Sequence, residues 1–144
     1  MQHGLRRGIV TAAVTATALM TLSSQAGATA LGGVYGKSRS GCSEASGTYN
    51  YYDTDKVTPN GNKLYDAVLT ITAKDLCPGD PRHNAARVNI AYWKYEGGLE
   101  KWHTWEKLAQ NSTQTKKPKN VWNLIIEVCD WNPNDGKDKC ARVA

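Results

Sequence analysis

An alternation of apolar and polar residues sets the first limit on how this chain folds. In the segment 121–128, the apolar residues Trp122, Leu124, Ile126 and Val128 occupy every second position. Successive side chains of a strand point to opposite faces of the sheet. This spacing therefore predicts a half-buried strand that places all four side chains on one face.

Strand-forming patterns cover most of the remaining chain. Further strands are predicted at 48–52, 64–73, 86–96, 99–108 and 139–143. The pair Gly97-Gly98 separates two of these segments, which predicts a tight hairpin. No segment has a helical repeat of useful length. The predicted fold is all-β: a small antiparallel β-sandwich, immunoglobulin-like in shape, with a small β-barrel as the alternative.

The chain contains four cysteines, Cys42, Cys77, Cys129 and Cys140. Their even number and the absence of a Cys-x-x-Cys pair indicate two disulfides rather than a zinc site. The turn sequence Asn-Pro-Asn-Asp-Gly at 132–136 folds the segments that carry the last two cysteines back on each other. Of the possible pairings, this geometry favours Cys129–Cys140, which leaves Cys42–Cys77.

The segment 1–30 has the three parts of a secretory signal peptide. Arg6 and Arg7 precede an uncharged apolar stretch, and small residues follow it at 26–30. We expect cleavage after Ala30, with Ala28 as the alternative, and a single domain over residues 31–144. The apolar stretch is too short to remain in a bilayer, so the mature domain is expected to be extracellular and without a membrane span.

Several features occur together in this chain: an Ala- and Thr-rich signal, strand runs at 66–72 and 86–90, and Val128-Cys129-Asp130 ahead of a disulfide-sized loop. In this combination the chain resembles a loose group of small secreted β-proteins from high-GC Gram-positive bacteria. The resemblance implies an all-β fold and an extracellular location. It implies no activity.

The charge of the predicted domain is mildly positive. The full chain has a formal net charge of +5, and removal of Arg6 and Arg7 lowers this excess to about three. Acidic and basic residues are interleaved, unlike the dense basic stripe of a nucleic-acid binder, so no nucleic-acid partner is expected. The basic cluster at 116–119 follows a polar run at 110–115. We interpret this stretch as a solvated loop between strands, with contact to an anionic wall polymer or lipid as the alternative.

Catalytic motifs are weak in this sequence. His103 and Glu106 could form an acid–base pair for phosphodiester cleavage, with Arg82, His83 or Arg87 neutralising phosphate. The chain has no Gly-x-Ser-x-Gly elbow, and the even cysteine count argues against a free catalytic thiol. We predict no catalytic residues and no cofactor.

The loop 130–138 has some features of a calcium loop. Asp130, Asn132 and Asn134 stand at alternate positions, but the glycine is displaced by one and Ala141 stands where a bidentate glutamate belongs. Turn chemistry explains the loop adequately. No metal is predicted.

The aromatic residues carry the clearest binding signal. The chain has 5 Trp and 7 Tyr but no Phe, and large rings with a polar group are enriched at binding surfaces. The hairpin across the glycine pair carries consecutive aromatic residues, which cannot all point into one core. We predict a binding surface of Trp93, Tyr95, Trp102 and Trp105. The alternative is that Trp93, Trp102 and Trp122 form the core.

These features leave two classes of function. The first is a secreted, noncatalytic and monomeric protein that binds a cell-wall glycan or an extracellular protein. Sugar stacking requires coplanar exposed rings, whereas a protein interface requires a contiguous apolar patch. The second is a small secreted enzyme or toxin such as a nuclease. A secreted protease inhibitor is a further alternative, with the segment 77–82, tethered at Cys77, as its exposed loop.

Overall fold

The computed structural model describes residues 28–82 and 84–144. Most of the predicted signal peptide, and His83, lie outside these residues. The first strand begins at Ala28, inside the segment assigned to the signal. From Gly32 to Lys37 this strand pairs with β2 in one register, with Gly32 opposite Tyr49. Cleavage after Ala30 would leave this paired stretch intact.

The described residues form eight strands and no helix, which confirms the predicted all-β fold. The strands are β1 (Ala28–Lys37), β2 (Ser43–Val57), β3 (Lys63–Asp75), β4 (Ala85–Glu96), β5 (Leu99–Gln110), β6 (Thr113–Lys116), β7 (Val121–Asn132) and β8 (Gly136–Arg142). Each strand predicted from the sequence is present, and the described residues contain no helix able to span a membrane.

All paired strands are antiparallel and join into one sheet. The order is β1-β2-β3-β7-β4-β5, with β6 paired to β3 and β8 paired to β7. The register links β3 to β7 only at Tyr65, opposite Val121, and β3 lies against β4 and β5 without pairing to them. The part β1-β2-β3 of the sheet therefore packs against the part β7-β4-β5, and we call these parts its two halves. The sandwich, its barrel alternative and the immunoglobulin-like shape stay predictions.

One apolar core fills the space between the two halves. Leu69 and Ile71 from β3 meet Val88 and Ile90 from β4 and Ile126 from β7, all fully buried. In β3 every second residue from Ala67 to Ala73 is buried, as the pattern at 64–73 predicts for these positions, and Leu64 is buried outside this alternation. Removal of these apolar side chains from water is the main stabilising contribution to such a fold.

Both predicted disulfides are present. Cys42–Cys77 joins the chain just before β2 to the chain just after β3, where Ser43 lies opposite Asp75. Cys129–Cys140 joins β7 to β8 across their hairpin. The first bridge therefore fastens β2 and β3 at one end, and the second fastens β7 and β8 within their paired stretch.

The predicted loop at 110–115 is wrong in part, because Thr113–Lys116 forms strand β6 on β3. Hydroxyl pairs join the two strands, Thr70 with Thr115 at 2.9 Å and Thr72 with Thr113 at 2.7 Å. The edge of β3 is open here because its pairing with β7 is limited to one end. An exposed polar strand has no apolar alternation, so the sequence does not indicate it.

The predicted face of Trp122 is also wrong, although this residue is buried. Ala91 lies opposite Ile125 and Trp93 lies opposite Trp122, so β7 has one residue more than β4 in this stretch. Asn123 has a left-handed φ of 49°. One extra residue inverts the alternation of a strand, and the bulge moves Trp122 to the face that points away from the core.

Candidate functional site

Three tryptophans form a row across the outer face of β7, β4 and β5. Tyr92 belongs to the core, so the next residue, Trp93, points outward. Its ring centroid lies 5.9 Å from that of Trp122 and 5.6 Å from that of Trp102. Trp122 is 8% exposed and Trp102 is 41% exposed. The row therefore opens toward the edge of the sheet at β5.

The other two tryptophans of the chain each pack against a cation. The guanidinium carbon of Arg87 lies 4.2 Å from the ring centroid of Trp131. The ammonium of Lys137 lies 4.6 Å from that of Trp105 and 2.5 Å from the buried Glu127. Such cation–π contacts stabilise by roughly 0.5–2 kcal/mol. None of the five tryptophans belongs to the core cluster between the sheet halves.

A groove of about 410 Å³ lies at the hairpin end of the tryptophan row. It is lined by residues of the hairpin and of the turn between β2 and β3: Pro59, Asn60, Trp93, Tyr95, Gly98, Leu99 and Glu100. Asn60 and Asn62 each donate a side-chain hydrogen bond of 3.0 Å to the Glu100 carboxylate. These bonds hold the turn against the hairpin and shape the groove, which we call the hairpin groove.

Two of the four predicted binding residues line the hairpin groove, and a third packs on one of them. Trp93 and Tyr95 line it, and Trp102 packs on Trp93 with the ring planes tilted by 53°. Trp105 lies farther along β5, against Lys137. Leu99, which is 62% exposed, extends the apolar wall. Its position directly after the glycine turn is the signal that could have identified it.

A bulge in β5 brings His103 and Glu106 together. Tyr92 lies opposite His103 and Ile90 lies opposite Glu106, so β5 has one residue more than β4 in this stretch. Within it, Trp105 has a φ of 24°, a positive value that large side chains rarely adopt. Without the extra residue, His103 and Glu106 would point to opposite faces. With it, both share the face of Tyr92.

Glu106 is the centre of a polar cluster. Its carboxylate accepts a hydrogen bond from the Tyr92 hydroxyl at 3.2 Å, lies 3.1 Å from His103 Nδ1 and contacts the Lys116 ammonium. Burial alone would raise the pKa of Glu106, but the hydrogen bonds from Lys116 and His103 outweigh it and hold that pKa below its usual value. Burial and the adjacent Glu106 raise the pKa of Tyr92 to about 12.

Of the residues that the sequence suggests for phosphodiester cleavage, this cluster brings together only His103 and Glu106 within the described part of the chain. His103 stacks on Tyr92 with a centroid distance of 5.1 Å, and its Nε2 lies 3.4 Å from Glu96. Arg87 lies instead on Trp131, and Arg82 pairs with Asp80 at 3.5 Å. The cation beside Glu106 is Lys116, a role that the sequence does not indicate because β6 is not predicted.

The predicted turn chemistry accounts for the loop at 130–138. The fully buried Asp130 accepts hydrogen bonds from three serine hydroxyls, those of Ser38, Ser40 and Ser43. The Asn132 side-chain oxygen accepts a hydrogen bond of 2.9 Å from the backbone amide of Asn134. Two residues of the calcium pattern are thus engaged in hydrogen bonds within the protein.

One group of side chains in the described ranges lies close enough to share a metal ion: Glu127, Cys129 and Cys140. The two sulfurs are bonded to each other, so they offer no thiolate. Glu127 is engaged by Lys137. This group is therefore not a metal-binding set.

The predicted inhibitor loop is an exposed turn next to the first disulfide. The Asp80 side chain accepts a hydrogen bond of 2.9 Å from the backbone amide of Arg82, and the Asp80 amide donates to the Cys77 carbonyl at 3.1 Å. The inhibitor function stays a prediction.

No protein-family model matches the sequence, no curated protein is significantly similar to it, and no solved structure matches its fold.

Proposed function

We propose that this chain is a secreted binding protein that engages an extracellular protein through the hairpin groove. The observation that carries this proposal is that Leu99 and Trp93 line one groove while the exposed Trp102 packs on Trp93. Exposed apolar patches of this kind mark interaction sites on soluble proteins. The proposed binding role requires no catalytic group.

The shape of this surface favours a protein over a glycan. Flat sugar rings stack best on coplanar exposed rings, and the 53° tilt between Trp93 and Trp102 provides no such platform. The hairpin groove, of about 410 Å³, instead has a volume that suits one or two large apolar side chains. We therefore propose a partner that inserts an apolar anchor between Trp93 and Pro59, as central interface residues do.

The two disulfides support a location outside the cytoplasm, because such bonds persist in oxidising compartments. The predicted signal peptide agrees with this location. The nuclease alternative has less support. Three donors hold Glu106, and the predicted arginines lie elsewhere.

The test is the variant Trp102→Ala with Tyr35→Ala as the matched control. Tyr35 is 67% exposed on β1, so its truncation also removes an exposed ring. Extracellular proteins captured by the wild type are identified, and each purified candidate is titrated against all three proteins. We expect Trp102→Ala to weaken binding by about 2 kcal/mol or more, roughly 30-fold, and Tyr35→Ala to leave it unchanged.

A second variant, Leu99→Asp, keeps the test decisive if Trp102→Ala is unstable. Leu99 is exposed, so a charge there should leave the melting temperature nearly unchanged while opposing an apolar partner. Equal affinity of wild type and Leu99→Asp for every captured protein would overturn the proposal. If the wild type bound a neutral wall glycan and Trp102→Ala abolished that binding, the partner would be a sugar and not a protein.

A further inference from the structure

A second groove, of about 400 Å³, lies on the other side of β4 and is lined by lysines. Its lining residues are Tyr92, Lys94, Lys116, Lys117, Pro118 and Lys119. We call it the lysine groove. The sequence places three of these lysines in one short segment, and the fold adds Lys94 from the facing strand.

The backbone that carries these lysines is fixed in place. Lys116 pairs with Leu69 at the end of β6, and the carbonyl of the buried Pro118 accepts a hydrogen bond of 2.9 Å from the amide of Ala67. The carbonyl of Asn120 accepts one of 3.0 Å from the amide of Tyr95. A ligand would therefore meet an ordered segment, and binding would cost little backbone entropy.

Positive charge exceeds negative charge at the lysine groove. Lys94 pairs with Glu96 at 2.6 Å, and Lys116 pairs with Glu106. Within residues 28–82 and 84–144, neither Lys117 nor Lys119 forms an ion pair, and both are exposed. Two of the four ammonium groups thus remain available, and a concave surface focuses their field.

We infer that the lysine groove binds the phosphate groups of a soluble anionic polymer. Lys117 and Lys119 would contact phosphates directly, as lysines do in polyanion complexes. The spacing of charges along one segment suits repeated phosphates better than a single small anion, because one phosphate would leave part of the row unused.

The surroundings of the lysine groove argue against nucleic acid and against a membrane surface. Single-stranded nucleic acids are held by bases stacked on exposed rings, whereas Tyr92 is 4% exposed and covered by His103. Peripheral membrane binding combines basic residues with exposed apolar ones. The exposed large apolar residues of the described chain, which include Leu99 and Trp102, do not line this groove.

The experiment measures binding of inorganic polyphosphate to the folded protein at several salt concentrations. The test variant is Lys117→Gln/Lys119→Gln. The control, Lys56→Gln/Lys74→Gln, removes the same charge from exposed sites on β2 and β3. We expect the test variant to bind about tenfold more weakly or worse, with a salt slope lower by roughly 0.7 per lysine, as counterion release predicts for single-stranded polyanions.

The control variant should lose less than about threefold, and Trp102→Ala should bind polyphosphate like the wild type, since the hairpin groove is a separate surface. Equal losses in the test and control variants would reduce the effect to net charge and overturn the inference. It would also fail if polyphosphate did not bind at low salt, or if phosphatidylglycerol vesicles bound as tightly as polyphosphate.

Discussion

Strands β2 and β3 keep one register over most of their length and shift between Asp53 and Val57, near the end of β2, whereas β4 pairs irregularly with both of its neighbours. The register of β2 and β3 is continuous from Ser43, opposite Asp75, to Asp53. Between β4 and β5 the register shifts twice, and between β4 and β7 it shifts once. Within this pair, β3 keeps its period-two alternation from Ala67 to Ala73 and buries one face in the core, which β4 and β7 share. The candidate sites lie on the irregular strands.

Bulges explain why the candidate sites lie on the irregular strands. A bulge adds one residue to a strand and inverts the faces of the residues beyond it. The bulge in β7 places Trp122 beside Trp93 on the outer face. The bulge beside Trp105 in β5 brings His103 to Glu106. The tryptophan row and the polar cluster both depend on such shifts.

The β2–β3 pair and the β4–β5 hairpin should differ most in unfolding free energy when a leucine is replaced by alanine. Leu69→Ala in the regular pair removes a fully buried side chain, and such cavities cost about 2–5 kcal/mol of unfolding free energy. The same substitution at the exposed Leu99 should cost less than about 0.5 kcal/mol. Urea denaturation measures both. A large loss for Leu99→Ala would mean that the hairpin surface is part of the core.

The features that follow from local sequence are predictable, and they occur on the regular and on the irregular strands. Alternation assigns the buried face of β3 directly from Ala67 to Ala73. The turn at 132–136 and the parity of the cysteines are sufficient to predict both disulfides. The predicted hairpin across the glycine pair joins β4 to β5 as expected.

The face of Trp122, strand β6 and the lysine groove depend on the register between strands. Alternation of apolar and polar residues does not encode that register. Nothing in the pattern at 121–128 marks Asn123 as a bulge residue, so Trp122 is predicted on the wrong face. Strand β6 is polar and forms only because the edge of β3 is open. Lys116 and Lys94 are far apart in sequence, and the lysine groove exists only after β6 is placed.

A smaller effect should distinguish the bulge in β7 from the regular strand β2. Asn123 has a φ of 49°, which asparagine tolerates and β-branched residues do not. Asn123→Val should therefore cost about 1–2 kcal/mol of stability. Asn50→Val, the same change in the continuous register of β2 opposite Val68, should be within about 0.5 kcal/mol of the wild type.

Thermal and urea denaturation of both variants, together with Asn123→Gly, complete this test. Glycine adopts positive φ without a steric penalty, so Asn123→Gly should remain close to the wild type in stability. If Asn123→Val were as stable as Asn50→Val, the bulge would be absent and Trp122 would return to the core face.

The smallest expected effect concerns Glu106 and its dependence on pH. Its pKa in the folded protein lies below the ordinary value of 4.5, because Lys116 and His103 stabilise the carboxylate more than burial destabilises it. A lowered folded pKa contributes stability above the unfolded pKa, and this contribution is lost as the pH falls through the folded value. Glu106→Gln should thus be less stable than the wild type at neutral pH, by less than about 1 kcal/mol for so exposed a pair. The difference should vanish in acid.

Glu44→Gln is the control for this prediction. The Glu44 carboxylate on β2 accepts a side-chain hydrogen bond from Tyr35 at 3.2 Å, and its removal should change stability less. Denaturation curves recorded from neutral pH to below the ordinary glutamate pKa measure both variants. A difference for Glu106→Gln that persists unchanged in acid would show that the β5 bulge does not hold Glu106 as a stabilised anion.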